Sequence, residues 1–218
     1  MNPSIVQTII NDLGALLLFT MILIIAAGQI YRAIYAVAAQ SFLIAVAGAV
    51  LAAATGNADL WVIAGVTLTV KTILLPYVLH WVVRRMNVRR EVEPVIPVAA
   101  TLALAVVVVV MSFHVSGTLG SVHQAITGNA LPVGIALTLL GVLVMATGKT
   151  ALNQMVGLFA AENGIFFTAM AVTQGMPLII EIGVILDVIL AALVMAIMVL
   201  RVRSTVDADI ADLDRLRG

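Results

Sequence analysis

The sequence predicts an all-α polytopic membrane protein, a bundle of about seven transmembrane helices, on three observations. The chain of 218 residues is 63% hydrophobic and only 10% charged, against about 45–50% apolar and about 25% charged for a soluble domain. Its mean hydropathy is +1.19. Apolar runs near the roughly 20 residues that span a bilayer consume most of its length, leaving too few polar residues to cover a soluble domain.

The runs lie at residues 13–30, 33–54, 60–83, 95–115, 130–147, 152–173 and 176–200. Ahead of the first, MNPSIVQTIINDLG carries no basic residue, which argues against a cleaved leader. The second contains Ser41, Ala45, Ala49 and Ala53 at four-residue spacing, a candidate ridge for close helix approach, since packing drives association inside lipid. TGNAD then reads as a tight turn. The third span carries Lys71 and Pro76 and ends in RRMNVRREVEP. A valine-rich fourth span leads into GTLGSVHQAITGNA, a second longer loop. The fifth has no ionisable residue, the sixth holds Glu162, and after TQGMP the seventh holds Glu181 and Asp187. Residues 1–128 thus form an N-terminal four-helix membrane region, 129–200 a three-helix membrane region, and 201–218 a tail.

Orientation follows from the basic residues. Lys71 is within a span, whereas Arg32, Arg84, Arg85, Arg89, Arg90, Lys149, Arg201, Arg203, Arg215 and Arg217 all fall on one face of a seven-span chain. The positive-inside rule makes that face cytoplasmic and places the N-terminus outside. The expected location is the inner (cytoplasmic) membrane.

Composition excludes several function classes. Cysteine is absent, which rules out disulfides, iron–sulfur clusters and thiolate-held zinc within this chain; no cofactor is expected in it. A net charge of +0 and 5% aromatic residues speak against a nucleic-acid partner. His80 and His114 fall at opposite ends of their spans and His123 in an outer loop, so a haem held between the first two is not expected. In the tail, Val206, Ile210, Leu213 and Leu216 share one helical face among Asp207, Asp209, Asp212 and Asp214. An acidic helix is repelled by an anionic leaflet, so this face suits a protein partner.

Chemistry is expected at four ionisable residues inside the spans: Lys71, Glu162, Glu181 and Asp187. A charge at the bilayer centre costs about 2.5–3.5 kcal/mol even on the lenient insertion scale. Each therefore faces water, a partner or the bundle interior, and each is a proton-relay candidate; the alternatives are a structural ion pair for Lys71, a protonated carboxyl hydrogen-bonded to an adjacent helix for Glu162, and simple solvation near a helix end for Glu181. Thr67 lies one turn before Lys71, and Pro76 removes the usual helix donor of the Thr72 carbonyl. Asn163 and Gly164 follow Glu162; the amide can bond a neighbour, and the glycine admits another helix or water. Glu181 and Asp187 are about 9 Å apart along a helix and about 120° around it, too far round to share a narrow stripe.

Buried Lys71 ahead of Pro76, ENG at 162–164 and PLIIEIGVILD at 177–187, in that order and topology, resemble component E of hydrogenase-4. Within that family the last three helices are similar to the three-helix subunit K of respiratory complex I and of multisubunit cation/proton antiporters. The resemblance implies a non-catalytic membrane subunit of a redox-driven complex, with antiporter-like and hydrogenase- or complex I-like membrane subunits as partners. It also implies a buried polar path in which Glu162 matches the mid-membrane glutamate of the second subunit K-type helix. For the second glutamate of subunit K, Asp187 is the nearest candidate here, with Glu181 a turn and a half earlier. A structural anchor without proton transfer and a stand-alone secondary cation/proton transporter are the other readings. No internal repeat of the kind common in transporters is evident.

Overall fold

A computed structural model describes residues 2–85, 95–118 and 129–173 of the chain. The predicted seventh span with Glu181 and Asp187, the tail, His123 and most of both longer loops lie outside these residues.

The described chain is helical almost throughout. Helix α1 (Pro3–Ile25) is followed by α2 (Ile30–Thr55), α3 (Ala58–Val66), a π-helical stretch (Thr67–Leu74) that continues directly into α4 (Leu75–Arg85), α5 (Val98–Thr118), α6 (Ala130–Thr147) and α7 (Ala151–Thr173). Five helical segments are long and apolar enough to cross a membrane: Pro3–Ile25, Ile30–Thr55, Ala58–Trp81, Val98–Gly117 and Ala130–Thr147. Helix α7 is as long as α1, but Asn153, Gln154, Glu162 and Asn163 make it the most polar of the long helices. The chain is a polytopic membrane protein.

Local chemistry explains where the helices start and stop. Pro3 occupies the first turn of α1, where a missing N–H costs nothing. That helix begins ten residues ahead of the predicted span, because Asn11 and Asp12 interrupt apolarity without interrupting helicity. Val6, Ile10 and Leu13 keep one face buried across them, and Asn11 Oδ1 accepts the Asn129 N–H at 2.8 Å. It also ends earlier, at Ile25. Helix α2 stops at Gly56, whose φ of 71° is the left-handed cap that glycine adopts without a Cβ penalty. The Asn57 side chain then caps α3 by accepting from the Asp59 N–H at 3.0 Å. Thr150 caps α7 in the same way, its Oγ1 accepting from the Asn153 N–H at 3.2 Å.

The helices share one core, and the tightest seam in it joins α6 to α7. A methyl group added at Gly134 would collide with Thr168, at Gly141 with Ala161, at Gly157 with Met145, and at Gly164 with Thr138. Each helix thus presents glycines two turns apart, and their backbones nearly touch. What Gly164 admits is helix α6. The predicted ridge on α2 is only half realised. Ser41 and Ala45 are buried, but Ala49 is half-buried and Ala53 exposed, while Gly48 and Ala52 take over the packed face. A four-residue step overshoots an α-helical turn by about 40°, so the row leaves the core within three steps.

Candidate functional site

Two of the four candidate residues meet. Lys71, from the centre of the π-helical stretch, and Glu162, from the middle of α7, form an ion pair with Nζ 3.1 Å from Oε1. Both are enclosed, with 5% and 7% of their surface exposed. Glu162 faces the bundle interior. Oε1 sits at ion-pair distance but outside hydrogen-bonding geometry, and it makes no hydrogen bond among the described residues. The Lys71 ammonium also lies 5.7 Å from the centre of the Phe166 ring, one turn beyond Glu162, in range of a cation–π attraction.

Beside the pair runs a neutral polar network. The Asn163 amide donates to Gln40 Oε1 and to Ser41 Oγ, each at 3.1 Å, tying α7 to α2. The Gln40 amide donates in turn to Met21 Sδ at 3.9 Å, reaching α1. Gln40, Ser41 and Asn163 are all fully buried. Asn163 therefore bonds a neighbour, as its position next to Glu162 suggests. Gln40 and Phe166 were not legible as site residues, although Gln40 is the lone side-chain amide within the second apolar run. Ser41, read from sequence as a small ridge residue, is a hydrogen-bonding one.

The backbone that carries Lys71 is unusual. π-Helical hydrogen bonds connect residues five apart, and such stretches are mostly single bulges at functional sites; here the register covers eight residues. The Leu75 N–H bonds the Val70 carbonyl, and the Thr72 hydroxyl donates to the Thr67 carbonyl at 3.4 Å. Pro76 follows at once. A residue without an N–H is well suited to this point, because the return to α-register must forgo a bond somewhere. Thr67 is buried on the same side as Lys71, as their spacing predicts.

At 3.1 Å and an effective dielectric near 20, opposite charges attract by roughly 5 kcal/mol. That is of the same order as the several kcal/mol each ion loses on leaving water. Attraction and desolvation therefore largely offset each other at this pair.

His80 stacks obliquely on Tyr31, with ring centres 4.8 Å apart, and lies 6.3 Å from Tyr35. His114 is exposed. Asp187 and Glu181 lie outside the described residues.

Comparison with known proteins gives two kinds of relative. The chain is 32% identical over 151 residues to the uncharacterised protein Rv0085 of Mycobacterium tuberculosis, covering 69% of this chain and 68% of that one. It is 23% identical over 211 residues to hydrogenase-4 component E of Escherichia coli K12, covering 96% of this chain and 98% of that protein. The same figures hold for component E of Shigella flexneri. No family model and no solved structure matches the chain.

Proposed function

The chain belongs to the family of the mycobacterial protein Rv0085, and from that membership, the near full-length likeness to hydrogenase-4 component E and the buried Lys71–Glu162 pair we propose that it is a membrane subunit of a hydrogenase-type complex. In this reading the redox chemistry belongs to partner chains, and this subunit contributes ionisable groups to a proton path that links a redox arm to antiporter-like neighbours. Glu162 and Lys71 form its first station; Asp187 and Glu181 of the seventh span continue it. The last three helices then play the part of subunit K. The basic residues face the cytoplasm, with the N-terminus outside the inner membrane.

The observation that carries this proposal is the 3.1 Å contact between ionisable groups of the third and sixth spans. Moving one charge across 100 mV is worth about 2.3 kcal/mol, within the range that a shift of the proton between such partners can supply. The test is Glu162→Gln in the assembled complex. Assembly and redox turnover should persist while proton pumping per turnover falls; wild-type stoichiometry in that variant refutes the relay. Co-purification should recover antiporter-like and hydrogenase-like chains.

A second reading has its own support. Glu162 Oε1 is buried and without a hydrogen bond among the described residues, as befits an ion pair that serves only to lock the third span to the sixth. Replacing both partners together, Lys71→Met with Glu162→Leu, separates the two. A lock tolerates the double change with coupling intact, and a relay does not.

A further inference from the structure

A second polar feature lies at the other end of α7 from its contact with the Gly134 turn. The last turn of α1, the starts of α2, α5 and α7 and the end of α6 line a partly open cavity of about 40 Å³. Its lining is apolar except for Thr101, Thr147 and Asn153. Asn153 is 5% exposed, and its Nδ2 is buried without a hydrogen-bond partner among the described residues. The two hydroxyls already donate, Thr147 to the Leu143 carbonyl at 2.9 Å and Thr101 to the Pro97 carbonyl at 3.4 Å, so their oxygens remain as acceptors. Gly148 also lines the space, and a Cβ there would press on Asn153 at 2.9 Å; glycine leaves the amide its position.

A buried carboxamide left unpaired costs about 1–3 kcal/mol, and an apolar side chain of the same size would avoid that cost. Ordered water needs polar partners and roughly 10–15 Å³ per molecule. The cavity offers both.

We propose that this cavity is a water-binding site, holding two or three ordered waters between the Asn153 amide and the Thr101 and Thr147 hydroxyls. The site sits beside Lys149 and the α1–α2 connection, at the end of the bundle that carries Arg32. Nine residues of α7, about 13.5 Å of helix, separate Asn153 from Glu162, and Val156, Phe159 and Ala160 between them are buried. The waters therefore form a compartment apart from the ion pair, and the inference stands whether or not the proton-path reading does.

X-ray hydroxyl-radical footprinting of the full chain in lipid nanodiscs, with an H₂¹⁸O exchange step, tests this. Radicals formed from bound water label the nearest side chains, so buried Val156 should be labelled at least about fivefold faster than Leu137, which is sealed in the same core and does not line this cavity, given a site that holds water. Its ¹⁸O should appear more slowly than at bulk-exposed positions. Asn153→Leu should remove most of that excess labelling, and the gentler Thr147→Val should reduce it if the leucine variant does not fold. Labelling of wild-type Val156 no faster than Leu137, or unchanged in a folded variant, overturns the proposal.

Discussion

The Lys71–Glu162 contact makes an asymmetric prediction about stability. Replacing Lys71 with Met leaves a carboxylate that can escape its burial by taking up a proton. For a carboxyl of ordinary acidity at pH 7 that costs about 3.7 kcal/mol, which caps the loss. Replacing Glu162 with Gln leaves an ammonium that can escape by losing its proton, at about 4.6 kcal/mol for an ordinary lysine. Both ceilings sit within the roughly 3–5 kcal/mol seen when one partner of a buried pair is removed. The double replacement Lys71→Met with Glu162→Gln strands no charge and should cost far less than the two single losses added together. The sign of the pH dependence differs between the two. The Lys71→Met deficit should shrink as pH falls toward the carboxylate range, whereas the Glu162→Gln deficit should shrink as pH rises toward the lysine range. Unfolding of the purified chain in mixed micelles, titrated with denaturing detergent at pH 5, 7 and 9, measures all four species of the cycle. Single losses that add to within about 0.5 kcal/mol in the double variant would show that the two groups do not interact, and the site as described would be wrong.

Three further predictions probe the scaffold in the same assay. Gly141→Ala forces a methyl into the Ala161 backbone and should destabilise by about 1–3 kcal/mol, whereas Gly28→Ala, with open space around it, should change little. Asn163→Leu strands the buried acceptors on Gln40 and Ser41 and should cost about 1–3 kcal/mol, with Gln40→Leu removing part of that penalty in combination. Gly56→Ala places a Cβ in the left-handed cap of α2 and should cost about 1–2 kcal/mol; an unchanged midpoint would mean that the cap relaxes freely.

Among the described residues, apolar length is enough to find the helices. The fifth run was bounded at 130–147, and the structure has Ala130–Thr147, because Gly and polar residues flank it on both sides. The start of α1 was less legible, since a window that scores apolarity stops at Asn11 and Asp12 while the helix continues to Pro3. Lys71 and Glu162 stood out individually as charges with no business in lipid, but their pairing was not readable. Contacts between distant spans follow from the order of helix packing, which one sequence does not encode in any local pattern. Gln40 is hard to read from sequence for a related reason: a single uncharged amide in a span carries little signal until its partner, Asn163, is seen across the interface. The π-helical register left only one trace in the sequence, Pro76.

The contrast between two rows of residues explains why that register matters. On α2, Ser41, Ala45, Ala49 and Ala53 are spaced by four and rotate out of the core, ending exposed. Along the third span, Thr67, Lys71, Leu75, Leu79 and Val83 are also spaced by four, yet every one of them is buried. In a uniform α-helix such a row would drift by roughly 160° over its four steps and carry its far end to the lipid face. The first half of this row lies in the π-helical stretch, where bonds between residues five apart put more residues into each turn. A four-residue step there falls short of a turn instead of overshooting it, and the shortfall offsets the drift of the α-helical half. Lys71 is thus held toward Glu162 by the same change of register that keeps Leu79 and Val83 in the core. The benefit of the wider helix is concentrated at Lys71, whose partner lies inside the bundle.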